Sequence, residues 1–191
     1  MVNVKTYKCF PTSIHEVKLN IETHDRTNML TYIKRDEEDD NLHTMSYFKS
    51  LTNKILECSE KILKDGDYEF EKIEITNMWG NLLNKGNSHA PHTHSNNILS
   101  GVYYLESDET AGIQFFDPRP QAHSLFPNIE ESVFENSGML QFNSTKGHGI
   151  IFPAWLQHWV PKTNNDRISI SWNILLRGDY GQPGTLQNSH I

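Results

Sequence analysis

Cysteine is nearly absent from this 191-residue chain. There are two, Cys9 and Cys58, far apart, and neither belongs to a C-x-x-C pair. They make neither a disulfide framework nor a structural zinc site. Two reduced thiols are the simplest reading, with one bridge between them as the alternative. Long apolar runs are missing as well. No stretch approaches the ~20 residues that span a bilayer, and the N-terminal "MVNVKTYKCFPTS" lacks the apolar core of a secretory signal. These absences predict an intracellular, cytoplasmic protein with no membrane partner. An excess of positive charge is missing too, since the formal net charge is −7. That argues against a grip on nucleic acid built on phosphate neutralisation. There is no internal repeat and no low-complexity tract, so a repeat architecture is excluded.

What is present is an ordinary folded composition, 36% hydrophobic and 21% charged. The length suits one domain over residues 1–191. Residues 1–66 read as a strand and helical support region. "FPTSIHEVKLN" is extended, "IETHDRTNMLTYIKRDEEDD" is a short helix running into acidic residues, and "MSYFKSLTNKILECSEKILKDGD" is the clearest helix. Its apolar positions Phe48, Leu51, Ile55, Ile62 and Leu63 roughly follow helical spacing, and "DGD" ends it. From residue 67 to 178 the pattern turns to β: "YEFEKIEITNMW", "ILSGVYYLE", "AGIQFFDP", "GMLQFN", "GHGIIFP", "HWVPK" and "DRISISWNILLRG", separated by Gly, Pro, Asn and Asp. The expected fold class is mainly β with N-terminal helices (α+β), its core a sandwich or barrel such as the jelly roll. Residues 179–191 read as a C-terminal tail.

Three histidines stand out in "HAPHTHSNNILSGVYYL". His92 and His94 are two apart, so on an extended segment they point to one side. His89 lies three residues earlier, behind Pro91, and reads as a group facing a substrate rather than as a ligand. A third ligand should come from a distant strand, and His158 in "AWLQHWVPK" is the candidate, with Trp155 and Trp159 as an expected aromatic wall. A solvated Asn/Ser/His loop is the plainer alternative for the first pair, and a satisfied core histidine for His158. The other six histidines show no ligand spacing.

Nine positions after His158 comes Arg167, with Ser169 two residues on. On a strand the two face the same way. A guanidinium beside a hydroxyl suits a carboxylate, and an arginine in an apolar hairpin is costly without an anion.

The set His92-x-His94, His158, Arg167-x-Ser169 resembles the iron(II)- and 2-oxoglutarate-dependent oxygenases, in particular prolyl-hydroxylase-like members and a subfamily of 2OG-Fe(II) oxygenases with an H-x-H motif. The likeness runs over roughly residues 70–176 and includes "SGVYYL" and "GIQFFDPRP". It implies a double-stranded β-helix, with Fe(II) on His92, His94 and His158 and 2-oxoglutarate on Arg167 and Ser169. A tyrosine of the strand after the first pair, Tyr104 rather than Tyr103, would help bind the cosubstrate, as would Asn173. Of those two adjacent tyrosines one should face inward and the other outward. The resemblance further implies an oxygenase that hydroxylates a protein or peptide residue, such as proline, or a small metabolite, with succinate and CO2 as coproducts. Trp79, Asn81, His89 and Asp117 are candidates for the substrate side.

This chain departs from the family pattern at position 94, where an acid is usual. Three neutral imidazoles would leave the metal its full 2+ charge, and imidazole alone does not select iron. Asp117 is the alternative carboxylate, although a turn role suits "FFDPR" better. Two rival readings stay open: a cupin-like metalloenzyme without 2-oxoglutarate, and a non-catalytic jelly-roll binding module. The N-terminal helices leave a homodimer open.

Overall fold

Leu51, Ile55, Ser59 and Leu63 recur every fourth residue, and all four are buried on one face of helix α2 (Lys49–Asp65). The helix ends where the N–H of Gly66 turns back to the carbonyls of Ile62 and Leu63. Phe48, fully buried, sits in the 3-10 turn just ahead of it. Helix α1 (Thr23–Ile33) buries Met29 and Ile33, one turn apart. The computed structural model describes residues 2–35, 38–108, 112–125 and 127–191. Part of the acidic run after α1, Ala111 in "AGIQFFDP", Phe126 and the side chain of His123 lie outside that description.

The strands are β1 (His15–Lys18), β2 (Lys72–Leu83), β3 (His89–His92), β4 (Leu99–Glu106), β5 (Ile113–Phe116), β6 (Met139–Phe142), β7 (His148–Pro153), β8 (His158–Val160), β9 (Arg167–Arg177), β10 (Asp179–Tyr180) and β11 (Ser189–His190). Five form a main sheet in the order β1-β7-β4-β9-β2, and four a second sheet in the order β3-β8-β5-β6. Every pairing in them is antiparallel. The N-terminal region thus gives strand β1 to the edge of the main sheet, and the tail closes on itself as the small hairpin β10-β11. This is a jelly roll with helices packed on one outer face. No helix among the described residues is long and apolar enough to cross a membrane.

Strand β4 shows how the layers stack. Leu99 through Leu105 are all buried, because both faces of the main sheet are covered. Tyr103 packs with Ile170, Trp172 and the helices. Tyr104 packs between the sheets with Val102, Ile113, Phe115 and Phe152. The two rings thus take opposite faces as expected, Tyr104 inward to a cavity and Tyr103 outward, where helices rather than water cover it. The helices of the first 65 residues take the place of water on that side.

Gly101 is required here by close approach. A Cβ on it would lie 2.3 Å from the Trp172 ring. Trp172 is fully buried and cannot withdraw. Gly101→Ala is therefore expected to destabilise the fold by about 1–3 kcal/mol or more, read as a lower urea midpoint with unchanged slope. A midpoint equal to that of the parent protein would contradict this packing.

Candidate active site

The second sheet brings the sequence-distant histidines together. His92 closes β3 and His158 opens β8, and they are direct cross-strand partners. His94 lies two residues past the strand, held by its backbone N–H to the Ala154 carbonyl at 2.9 Å. Ring centroids are 4.4 Å apart for His92 and His158, 5.1 Å for His92 and His94, and 5.2 Å for His94 and His158. One ring nitrogen from each lies within 4.8 Å of the others, a spacing that could hold one metal ion.

Hydrogen bonds preset two of the three rings. Nδ1 of His92 lies 2.8 Å from the Ala90 carbonyl, and Nδ1 of His158 lies 2.9 Å from the Leu156 carbonyl. A carbonyl only accepts, so both Nδ1 atoms carry a proton, and it is Nε2 of each ring that is left to offer a lone pair to a metal. Burial pushes the His158 pKa down to about 4, helped by the charges of His92, His94 and His89 and opposed by its bond to Leu156. Burial, with the charge of His92, brings His94 to about 4 as well. Both rings are neutral near pH 7, as metal binding demands.

A cavity of about 240 Å³ runs from the histidines to the start of β9, where Arg167 is 3% exposed and Ser169 is 1% exposed. The guanidinium carbon sits 5.5 Å from the centre of the Tyr104 ring. Burial lowers the Arg167 pKa, opposed by Tyr104 and Asp108. Burial lifts the Tyr104 phenol to about 12, opposed by Arg167, so its O–H keeps a proton to donate. Trp79, Asn81, His89 and Ser171 line the same cavity. The Trp79 ring lies 6.0 Å from that of His94, and Asn81 Nδ2 donates to Ser171 Oγ at 3.0 Å.

Two expected site residues lie elsewhere. Asn173 shares the strand face of Arg167 and Ser169 but does not line the cavity. Its Oδ1 accepts from Ser100 at 2.6 Å and its Nδ2 donates to Asn77 at 2.7 Å, so its amide serves the sheet. Asp117 faces a separate, larger groove of about 770 Å³ beside the N-terminal segment. It accepts from the backbone N–H of Arg119 and, through both carboxylate oxygens, from its guanidinium. This is the turn role, and neither ligation nor a place in the cavity goes with it. The aromatic wall also differs from expectation. Trp155 is 56% exposed and Trp159 alternates to the other face of β8, while the rings beside His158 are Phe152 at 4.7 Å and Phe115 at 5.9 Å. Alternation along β5 and β7 was the signal for both phenylalanines.

Fold and pocket together make a jelly roll whose cavity has three imidazoles that could hold a metal at one end and a buried guanidinium at the other. Residues 77–173, more than half of the chain, match the family model described as "Putative 2OG-Fe(II) oxygenase", and the chain belongs to that family. It is thereby an oxygenase of the type that depends on Fe(II) and 2-oxoglutarate. No curated protein sequence matches it significantly. Solved structures agree in fold at low identity. A prolyl-4-hydroxylase of Pseudomonas putida is 10% identical with a TM-score of 0.61, over 87% of this chain and 89% of that one. The non-heme alpha ketoglutarate dependent epimerase SnoN of nogalamycin biosynthesis is 14% identical with a TM-score of 0.62, over 92% and 81%. HygX of Streptomyces hygroscopicus, crystallised with nickel and 2-oxoglutarate, is 10% identical with a TM-score of 0.57, over 86% and 82%.

Proposed function

We propose that this oxygenase binds Fe(II) through His92, His94 and His158, and that it hydroxylates a protein or peptide residue, such as proline, or a small metabolite. The observation that carries the reading is one cavity holding the preset imidazoles at one end and Arg167 with Ser169 at the other. Three neutral nitrogen donors fit a divalent first-row metal and leave about three positions of an octahedron open. When bound, Fe(II) with 2-oxoglutarate and O2 supplies the oxidation, releasing succinate and CO2 and leaving one oxygen atom for the substrate.

The chain's own groups bind and orient. Arg167 offers two parallel N–H donors to the distal carboxylate of 2-oxoglutarate, and Ser169 adds an O–H. Tyr104 stands over the guanidinium, with its O–H as a further donor. Val102, Ile113, Phe152 and Val160 give the cavity an apolar wall. Trp79, beside His94, faces the side from which a substrate reaches the metal, while Asn81, the cross-strand partner of Ser169, lies nearer the cosubstrate end. The prolyl hydroxylase among the structural neighbours supports a peptide residue as target, by analogy of fold.

Anaerobic addition of Fe(II) and then 2-oxoglutarate to the full chain tests this. The expected result is a weak visible charge-transfer band that saturates with 2-oxoglutarate. Metal binding without the band would favour a metalloenzyme that does not use 2-oxoglutarate. No metal binding would favour a binding module. Once the band is present, peptides and metabolites that gain one oxygen atom only when 2-oxoglutarate is supplied identify the substrate.

A further inference from the structure

The register of β3 on β8 turns a fourth histidine into the cavity. On β8, His158 and Val160 are two residues apart and share a face. Their partners on β3 are His92 and His89, which are three residues apart. In a regular strand a three-residue step puts side chains on opposite faces. The extra residue, taken up at Ala90-Pro91, makes a bulge that restores His89 to the face of His92. Bulges re-aim side chains in this way. Pro91 has no N–H to give to a ladder and is at home on β3, an edge strand.

Position along the strand decides which part of the cavity His89 meets. Just before His89, the Gly86 N–H reaches the Thr163 carbonyl, the Thr163 N–H reaches the Asn87 carbonyl, and the Lys85 N–H reaches the Asp166 carboxylate. Asp166 precedes Arg167. The step from His92 to His89 therefore runs from the proposed metal ligands toward the guanidinium. His89 lines the cavity, is partly buried, and feels the charges of both Arg167 and His92. It lies outside the group of three nitrogens spaced for a metal. Among the described residues neither of its ring nitrogens has a hydrogen-bond partner, whereas His92 and His158 each commit Nδ1 to a carbonyl.

We propose that His89 is a cosubstrate-binding residue whose ring N–H donates to the distal carboxylate of 2-oxoglutarate beside Arg167. This rests on the function proposed above and moves His89 from the substrate side to the cosubstrate side. A carboxylate has about four acceptor sites. Arg167 and Ser169 fill at most three, and His89 stands on the opposite wall.

The test compares two ligands on the Fe(II)-loaded full chain without O2. One is 2-oxoglutarate. The other is 2-oxobutyrate, which keeps the 2-oxo acid but ends in a methyl group. Dissociation constants come from the charge-transfer band, and iron content is measured in parallel. His89→Leu is expected to weaken 2-oxoglutarate about tenfold or more, to leave 2-oxobutyrate unchanged, and to keep the iron. His89→Gln, which retains an N–H donor, is expected to recover part of the loss. Equal losses for both ligands, no loss for either, or loss of iron would overturn the proposal while leaving the proposed function standing. No band in the unmodified protein would overturn both.

Discussion

His158→Ala is expected to abolish metal binding while the protein stays folded. His158 is 3% exposed and directly opposite His92, and alanine at this position offers no nitrogen to replace the one it removes. Replacing only a hydrogen-bonding partner of a ligand costs about 10–100-fold in metal affinity, and loss of the ligand itself must cost more. The fold should survive, because Phe115, Phe152 and Leu156 pack around the vacated space in an apolar cluster. Iron per chain after gel filtration should fall to background, with the far-ultraviolet circular dichroism unchanged. Full retention of iron would show that the three-histidine centre is wrong.

Arg167→Ala is expected to separate cosubstrate from metal. The guanidinium is the cationic group at the far end of the cavity, and truncating one member of a buried, hydrogen-bonded charge pair costs about 2–5 kcal/mol. That corresponds to roughly 30- to 5,000-fold in the dissociation constant of 2-oxoglutarate. Iron content should stay at the level of the unmodified protein. Arg167→Lys should fall between the two, since an ammonium keeps the charge and loses the two parallel donors. If Arg167→Ala gives an unchanged charge-transfer titration, the distal carboxylate is held elsewhere and the assignment of the β9 end falls. The two variants also dissect the site: the first removes both signals, the second only the cosubstrate signal.

The two tyrosines of β4 and the two ends of β9 show where reading the chain succeeded and where it stopped. Alternation along "RISISWN" rightly put Arg167, Ser169 and Ser171 on one face. It also extended the pocket to Asn173, which the fold instead ties to Ser100 and Asn77. Strand periodicity says which face a residue takes, and it does not say where along that face a cavity ends.

Local order along the chain determined the jelly-roll pattern of strands and the succession His92-x-His94, His158, Arg167-x-Ser169, because side-chain alternation and turn residues are short-range properties. Tertiary structure alone decided the rest. Packing of the helices on the main sheet buried Tyr103, and the pairing of Asp117 with Arg119 took that carboxylate away from the cavity. The register of β3 against β8 brought His89 to face the cavity. Each of these depends on which distant segment lies alongside, and a bulge at Ala90-Pro91 has meaning only against the partner strand it is counted from.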